Sequence, residues 1–192
     1  MHILGGVETY QAITTRRSIG KTTPDRPPRA EIEMLLEAAV AAPNHHLTEP
    51  WRFIVLTGEA LDSFGDAWAR GTERQGKGPE GIREKAHRAP VIIVLVGAPK
   101  THLPKVVEVE EHHALGAALQ NILLAAHDRG LAAMVRTGPA VDLEEVRRYL
   151  GLGENELVVG FVYVGFPPPG YDRKTPKRKS AAEVTEWRGW TT

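Results

Sequence analysis

With 192 residues, 24 Lys plus Arg balanced by 24 Asp plus Glu, and no cysteine, the chain can bury one sizeable core and carries no net formal charge. That balance leaves no global field to draw it to nucleic acid or an anionic membrane, so any anion site must be local. The missing thiols exclude disulfide frameworks, thiolate metal centres, iron–sulfur clusters and cysteine nucleophiles.

A short helical stretch leads into Arg16, Arg17 and Ser18, which offer fixed cations and a hydroxyl. Guanidinium forks bind oxyanions through paired hydrogen bonds, while the ordinary reading of such a triplet is a basic helix end that complements the macrodipole. After Pro27 and Pro28, the segment from Arg29 to Ala42 places Ile32, Leu35, Leu36, Ala39 and Val40 at helical spacing until Pro43 ends it. A kinked polar stretch follows, Pro43, Asn44, His45 and His46, closing on Pro50 and Trp51 and feeding a strand from Trp51 to Leu56. The next helix carries Leu61, Phe64 and Trp68 on one side. The glycines at 71, 76, 78 and 81 then predict a mobile loop or lid over 71–81.

Pro90 precedes VIIVLVG, an unbroken apolar run that predicts a central strand covered on both faces. The longest helical pattern runs from Val106 to Arg129, with Leu115, Leu119, Ile122, Leu123 and Ala126 as core candidates and Gly130 as its cap. Its middle, Gly116, Ala117 and Ala118, is small enough for tight helix packing. Leu131 to Val135 reads as a short strand. Arg136, Thr137, Gly138 and Pro139 turn out of it into a helix for which Asp142 and Glu145 read as a capping box. Leu157 to Gly165 is the last strand. The remainder is proline-rich and basic, with Arg173, Lys174, Lys177, Arg178 and Lys179 ahead of Val184, Trp187 and Trp190, an apolar set that needs something to pack against.

Helices alternating with strands, with no repeat and no low-complexity block, predict α/β or α+β, as a single domain over 1–192 with a C-terminal extension from about 167 to 192. No apolar stretch approaches the roughly 20 residues of a membrane span, and the N-terminus lacks a basic segment followed by a long apolar run. The expected location is therefore the cytoplasm, with no membrane or nucleic-acid partner. The pairs His45-His46 and His112-His113 do not predict a metal: adjacent helical residues point about 100° apart, and Glu108 with His112 supplies ligand spacing but too few ligands. No nucleophile elbow or glycine-rich dinucleotide loop is present.

Taken together and in this order, the Arg16-Arg17-Ser18 cluster, the Pro43 to Trp51 segment, Arg136 to Gly138, and Gly165, Pro167 and Arg178 resemble the nitroreductase family. The resemblance implies an α+β, three-layer fold: a central, mostly antiparallel sheet flanked by helices, in a homodimer that exchanges C-terminal tails and holds FMN at the interface. It assigns Arg16, Arg17, Ser18 and Arg178 to the FMN phosphate and ribityl chain, Asn44 and His45 to the ring-lining loop, and Arg136, Thr137 and Gly138 to a turn that approaches the ring. It implies an FMN-dependent NAD(P)H oxidoreductase that passes hydride through flavin N5 in a ping-pong cycle to a small electron-poor acceptor, such as a nitroaromatic or a quinone. The sequence departs from the commonest family pattern at Asn44, Leu47 and Glu49, and at Gly20, where a cation is often found. Lys21 is then the candidate cation for N1 and O2 of the ring, and His45 and Lys21 are the ring-side catalytic candidates. These departures also keep open a flavin-binding storage or sensing protein without nicotinamide-dependent turnover and, more remotely, a flavin-cleaving relative. No motif distinguishes NADH from NADPH.

Overall fold

The computed structural model describes residues 8–171 and 176–190. In chain order its helices are α1 (Thr9–Thr15), α2 (Arg29–Val40), α3 (Glu59–Arg74), α4 (Ile82–Ala86), α5 (Glu108–Asp128) and α6 (Glu144–Tyr149). Its strands are β1 (Trp51–Thr57), β2 (Val91–Gly97), β3 (Ala132–Arg136) and β4 (Leu157–Gly165). They form a four-stranded sheet in the order β1-β2-β4-β3, and every described pairing is antiparallel.

The unbroken apolar run of β2 has a simple cause: every one of its residues is buried, because both faces of the sheet are covered. Ile92, Val94 and Val96 join Phe64, Phe161, Tyr163, Leu143 and Val146 beneath α3 and α6. Val91 and Ile93 join Ile32, Leu35, Ala118, Ile122 and Val162 beneath α2 and α5. This alternation gives the three-layer α+β fold that the resemblance implied. Each fully buried large side chain, Phe64 and Ile122 among them, contributes roughly 1.5–3 kcal/mol of transfer free energy.

Several boundaries differ from the sequence reading. Gly71 to Arg74 complete α3, and Gly71 is buried where an added Cβ would meet Leu143 at 3.1 Å. That glycine serves packing of α3 on α6, and the open segment begins only at Gln75. The expected capping box does not form at α6: Leu143 is the N-cap, Asp142 closes the preceding 3-10 turn, and Glu145 pairs with Arg74 at 3.1 Å. Gly130, by contrast, takes φ +67 behind α5, and the Gly130 and Leu131 N–H groups donate to the His127 and Ala126 carbonyls, closing a Schellman cap. The small centre of α5 divides. Ala118 is buried against the α2 side, but Gly116 is exposed, with nothing within 4 Å of an added Cβ.

The described C-terminal residues 176–190 are exposed throughout. Val184, Trp187 and Trp190 are 69%, 71% and 76% exposed, and the two indoles touch edge to face at 5.6 Å. Arg173 and Lys174 lie outside the described residues.

Candidate functional site

Helix α1 stops where Arg16 leaves helical geometry at ψ 134. The Arg17 Nη1 donates to the Thr14 and Arg16 carbonyls, both at 2.8 Å, covering the helix end. Arg17 therefore performs the ordinary helix-end role as well as adding charge. The chain then runs along the sheet: the Ile19 N–H donates to the Ala133 carbonyl on the outer edge of β3 (3.0 Å), and the Thr23 N–H donates to Phe166 (2.8 Å). Gly20 sits so close to β3 that an added Cβ would come within 2.7 Å of the Met134 Sδ and 3.3 Å of the Arg136 Nη2. A side chain at position 20 would therefore have to displace the ends of Met134 and Arg136. Lys21, the next residue, is exposed.

Arg16 is half-buried, and its Nε and Nη1 have no hydrogen-bond partner among the described residues. Burial first, then the charges of Arg178 and Arg17, push its pKa down. Arg178 itself is exposed on the tail but close enough to be felt. His127, near the end of α5, lies 2.8 Å from the Thr15 Oγ1 through its Nε2, and burial followed by Arg16 and Arg17 lowers its pKa. Ser18 is half-buried in the same segment. Like charges gathered around partly dehydrated donors are the chemistry that an anion would complete.

Arg136 lies over the Tyr163 ring at 5.5 Å, with its Nε buried and unpartnered among the described residues. Burial raises the Tyr163 hydroxyl to about 12, opposed by Arg136 and Arg88. Thr137 and Gly138 are exposed, and Gly138 at φ 122, ψ −165 occupies a region that only glycine enters readily.

The second cluster is a strained loop. His46, Leu47 and Glu49 have φ values of 57, 52 and 46, and none is glycine. Left-handed backbone costs roughly 1–2 kcal/mol at each such residue. Asn44 closes the loop by accepting the Glu49 N–H at 2.9 Å. The His45 Nδ1 lies 2.6 Å from the Glu110 Oε2, and the Thr48 hydroxyl donates to the Glu111 Oε1 at 2.6 Å. The loop and α5 flank a shallow, open recess of about 450 Å³ lined by Pro43, Asn44, His45, Glu110, His113 and Ala114. A larger apolar recess of about 610 Å³ lies among Pro27, Pro28, Ile32, Leu36 and Val55 and shares no residue with this chemistry. Arg52, beside the loop, turns away from it, in a bidentate pair with Glu156 and a bond from its Nη2 to the Gly151 carbonyl.

Glu110 and Glu111 were missed as loop anchors, because in the sequence they read only as neighbours of a histidine pair. Among the described residues no group of three or more His, Asp and Glu could hold a metal. Nor is any described helix long and apolar enough to cross a membrane.

The two clusters sit at opposite ends of α5. The loop meets Glu110, and the arginines meet His127. At 1.5 Å per helical residue these anchors are about 25 Å apart, more than the extended length of FMN.

The Nitroreductase family model matches residues 13–166, a span that holds the four-stranded sheet, Arg16 to Ser18 and the 43–49 loop, and the chain belongs to that family. A relative from Escherichia coli (strain K12), provisionally named NAD(P)H nitroreductase YdjA, is 28% identical over 165 residues, covering 84% of this chain and 89% of its own. The nitroreductase-like family protein from Bacillus cereus superposes with a TM-score of 0.84 at 23% identity, covering 98% of this chain and all of the other. A nitroreductase with bound FMN from Bacteroides fragilis superposes with a TM-score of 0.73 at 25% identity, over 95% of this chain and 100% of the other.

Proposed function

We propose that the protein is an FMN-dependent NAD(P)H oxidoreductase that works as a homodimer and reduces small electron-poor acceptors such as nitroaromatics and quinones. The observation that carries the reading is Arg16: buried donors without partners among the described residues, next to Arg178 and Arg17, are matched when an anion such as the FMN phosphate completes them. FMN, when bound, supplies hydride acceptance and donation at N5, which separates oxidation of the nicotinamide from reduction of the acceptor in a ping-pong cycle. In this reading Arg16, Arg17, Ser18 and Arg178 hold the phosphate and ribityl chain. Lys21, exposed beside the segment that crosses β3, is free to turn toward the ring and offset negative charge there. His45, paired with Glu110, lines the ring and offers a proton to the acceptor.

The separation of the clusters along α5 supports the dimer. One copy supplies the arginine end and its twin the 43–49 loop, so each cofactor is shared. Exposed apolar groups support the same conclusion, since Tyr10 and Ile13 on α1, Val107 and Val109 at the start of α5, and Trp187 and Trp190 on the tail all await cover. The open face at Gly116 gives a second backbone room to approach. Exchange of the C-terminal tail onto the partner would bury the indoles.

The test is the visible spectrum of the purified protein, followed by anaerobic NADPH and then NADH. A flavin spectrum that bleaches supports the oxidoreductase and identifies the nucleotide. A colourless protein that takes up no added FMN refutes the cofactor assignment. A bound flavin that neither nucleotide reduces transfers the reading to a binding module.

A further inference from the structure

The left-handed residues of the 43–49 loop need something to hold them. Leu47 is 81% exposed, so burial does not. Within and beside the loop, Asn44 accepts from the Glu49 N–H (2.9 Å) and donates to the Ala42 carbonyl (3.3 Å), and the His45 carbonyl accepts the Thr48 N–H (3.3 Å) and lies 3.2 Å from the Thr48 hydroxyl. Two further restraints reach α5. The His45–Glu110 contact is half exposed, at 57% and 35%, and therefore screened. The Thr48–Glu111 bond is dry: Thr48 is 3% exposed and Glu111 1%.

Glu111 is unusual among the acidic residues of this chain. It is buried, and its Oε2 accepts the Lys100 backbone N–H at 2.9 Å while its Oε1 accepts the Thr48 hydroxyl at 2.6 Å. No ion pair to it is found among the described residues. Burying such a group is costly unless both oxygens are matched by donors. Both are, and its place in the first turn of α5 adds the favourable end of the helix dipole. Its two bonds tie three segments together: the strained loop, α5, and the chain leaving β2 at Lys100.

We propose that Glu111, acting through Thr48, is the positioning residue that holds residues 45–49 in their left-handed conformation and thereby sets flavin affinity and the KM for the acceptor. The inference rests on the flavin reading to the extent that this loop faces the ring. Glu111 touches neither cofactor nor substrate and is not a catalytic residue.

The experiment compares Thr48→Val and Glu111→Gln with Leu143→Ala, a core substitution under the opposite face of the sheet. Amide exchange of the apo protein is measured by mass spectrometry, FMN affinity by flavin fluorescence, and turnover with nitrobenzene or benzoquinone as acceptor. In Thr48→Val, exchange over 45–49 is expected to rise about tenfold or more, since a charge-assisted bond is lost. FMN Kd should rise comparably, and KM should rise by a larger factor than kcat falls. Glu111→Gln, which removes the charge but keeps both bonds, should show the same local effects to a smaller degree than Thr48→Val. Its carboxamide can accept from Lys100 and donate to the Thr48 oxygen, while the hydroxyl turns to the His45 carbonyl already 3.2 Å away.

Leu143→Ala should lower Tm without selective exchange over 45–49. If Thr48→Val instead resembles it, with general destabilisation and no local exchange, the clamp is overturned. If the local exchange appears but wild-type protein takes up no FMN, the clamp stands and its tie to the flavin is overturned.

Discussion

Replacing Arg16 by methionine is expected to move apo stability and flavin affinity in opposite directions. The stem keeps its packing volume, but the charge and the Nε and Nη1 donors that lack partners are removed. A buried donor left unmatched costs about 1–3 kcal/mol, and Arg178 and Arg17 add like-charge repulsion. Apo Arg16→Met should therefore be as stable as wild type or up to about 2 kcal/mol more stable, a Tm rise of several degrees for a chain of this size. With FMN the sign reverses. Charge-assisted bonds to a phosphate are worth about 1.5–3 kcal/mol, so the Kd should rise roughly 10- to 150-fold. Thermal melting of the apo protein and fluorescence titration with FMN read the two quantities separately. A clear fall in apo Tm together with an unchanged Kd would show that Arg16 is a structural helix-end residue, and the phosphate assignment would fail.

His127 should give the apo protein a pH-dependent weakness. Its folded pKa lies below the ordinary 6.5, lowered first by burial and then by Arg16 and Arg17, so the unfolded chain binds the extra proton. Stability should therefore decline as pH falls from about 6.5 toward the lower folded value; His127→Gln should flatten that stretch of a melting series, and an unchanged slope would count against the assignment. Glu156 has the usual carboxylate sign, its pKa held below 4.5 chiefly by the Arg52 hydrogen bonds. Its contribution is complete above 4.5 and lost as pH falls through the folded value, so Glu156→Gln should cost about 1 kcal/mol at neutral pH and reduce acid sensitivity in denaturant titrations. Gly165→Ala forces a Cβ to within 2.9 Å of Thr22 and Pro90. A loss of about 1–3 kcal/mol is expected in urea melts, and a neutral result would mean that the 16–23 segment is not seated against β4.

Much of the fold was legible because its signals are local. The run at 91–97 could only be a strand covered on both faces, and Gly130 could only end a helix in left-handed backbone. The ordered clusters pointed to the family, and it was that resemblance, not the side chains alone, that proposed roles for residues near 16 and 45. Other features depended on distant neighbours. Gly71 looked like loop punctuation, yet it is a contact point for Leu143. Asp142 and Glu145 had the spacing of a capping box, but Arg74 takes Glu145 and the chain turns one residue later. Glu111 read only as a neighbour of a histidine pair until Thr48, 63 positions earlier in the chain, came to meet it.

The sequence by itself determined the class of fold and which side chains are candidates for the chemistry, because hydrophobic period, glycine conformation and guanidinium geometry are properties of short segments. Only the tertiary structure decided how those groups are arranged. It left the Arg16 donors partnerless, pressed Gly20 against β3, and set the arginines and the histidine loop at opposite ends of one helix. Those outcomes depend on what lies across space from each residue, and a linear pattern does not specify that.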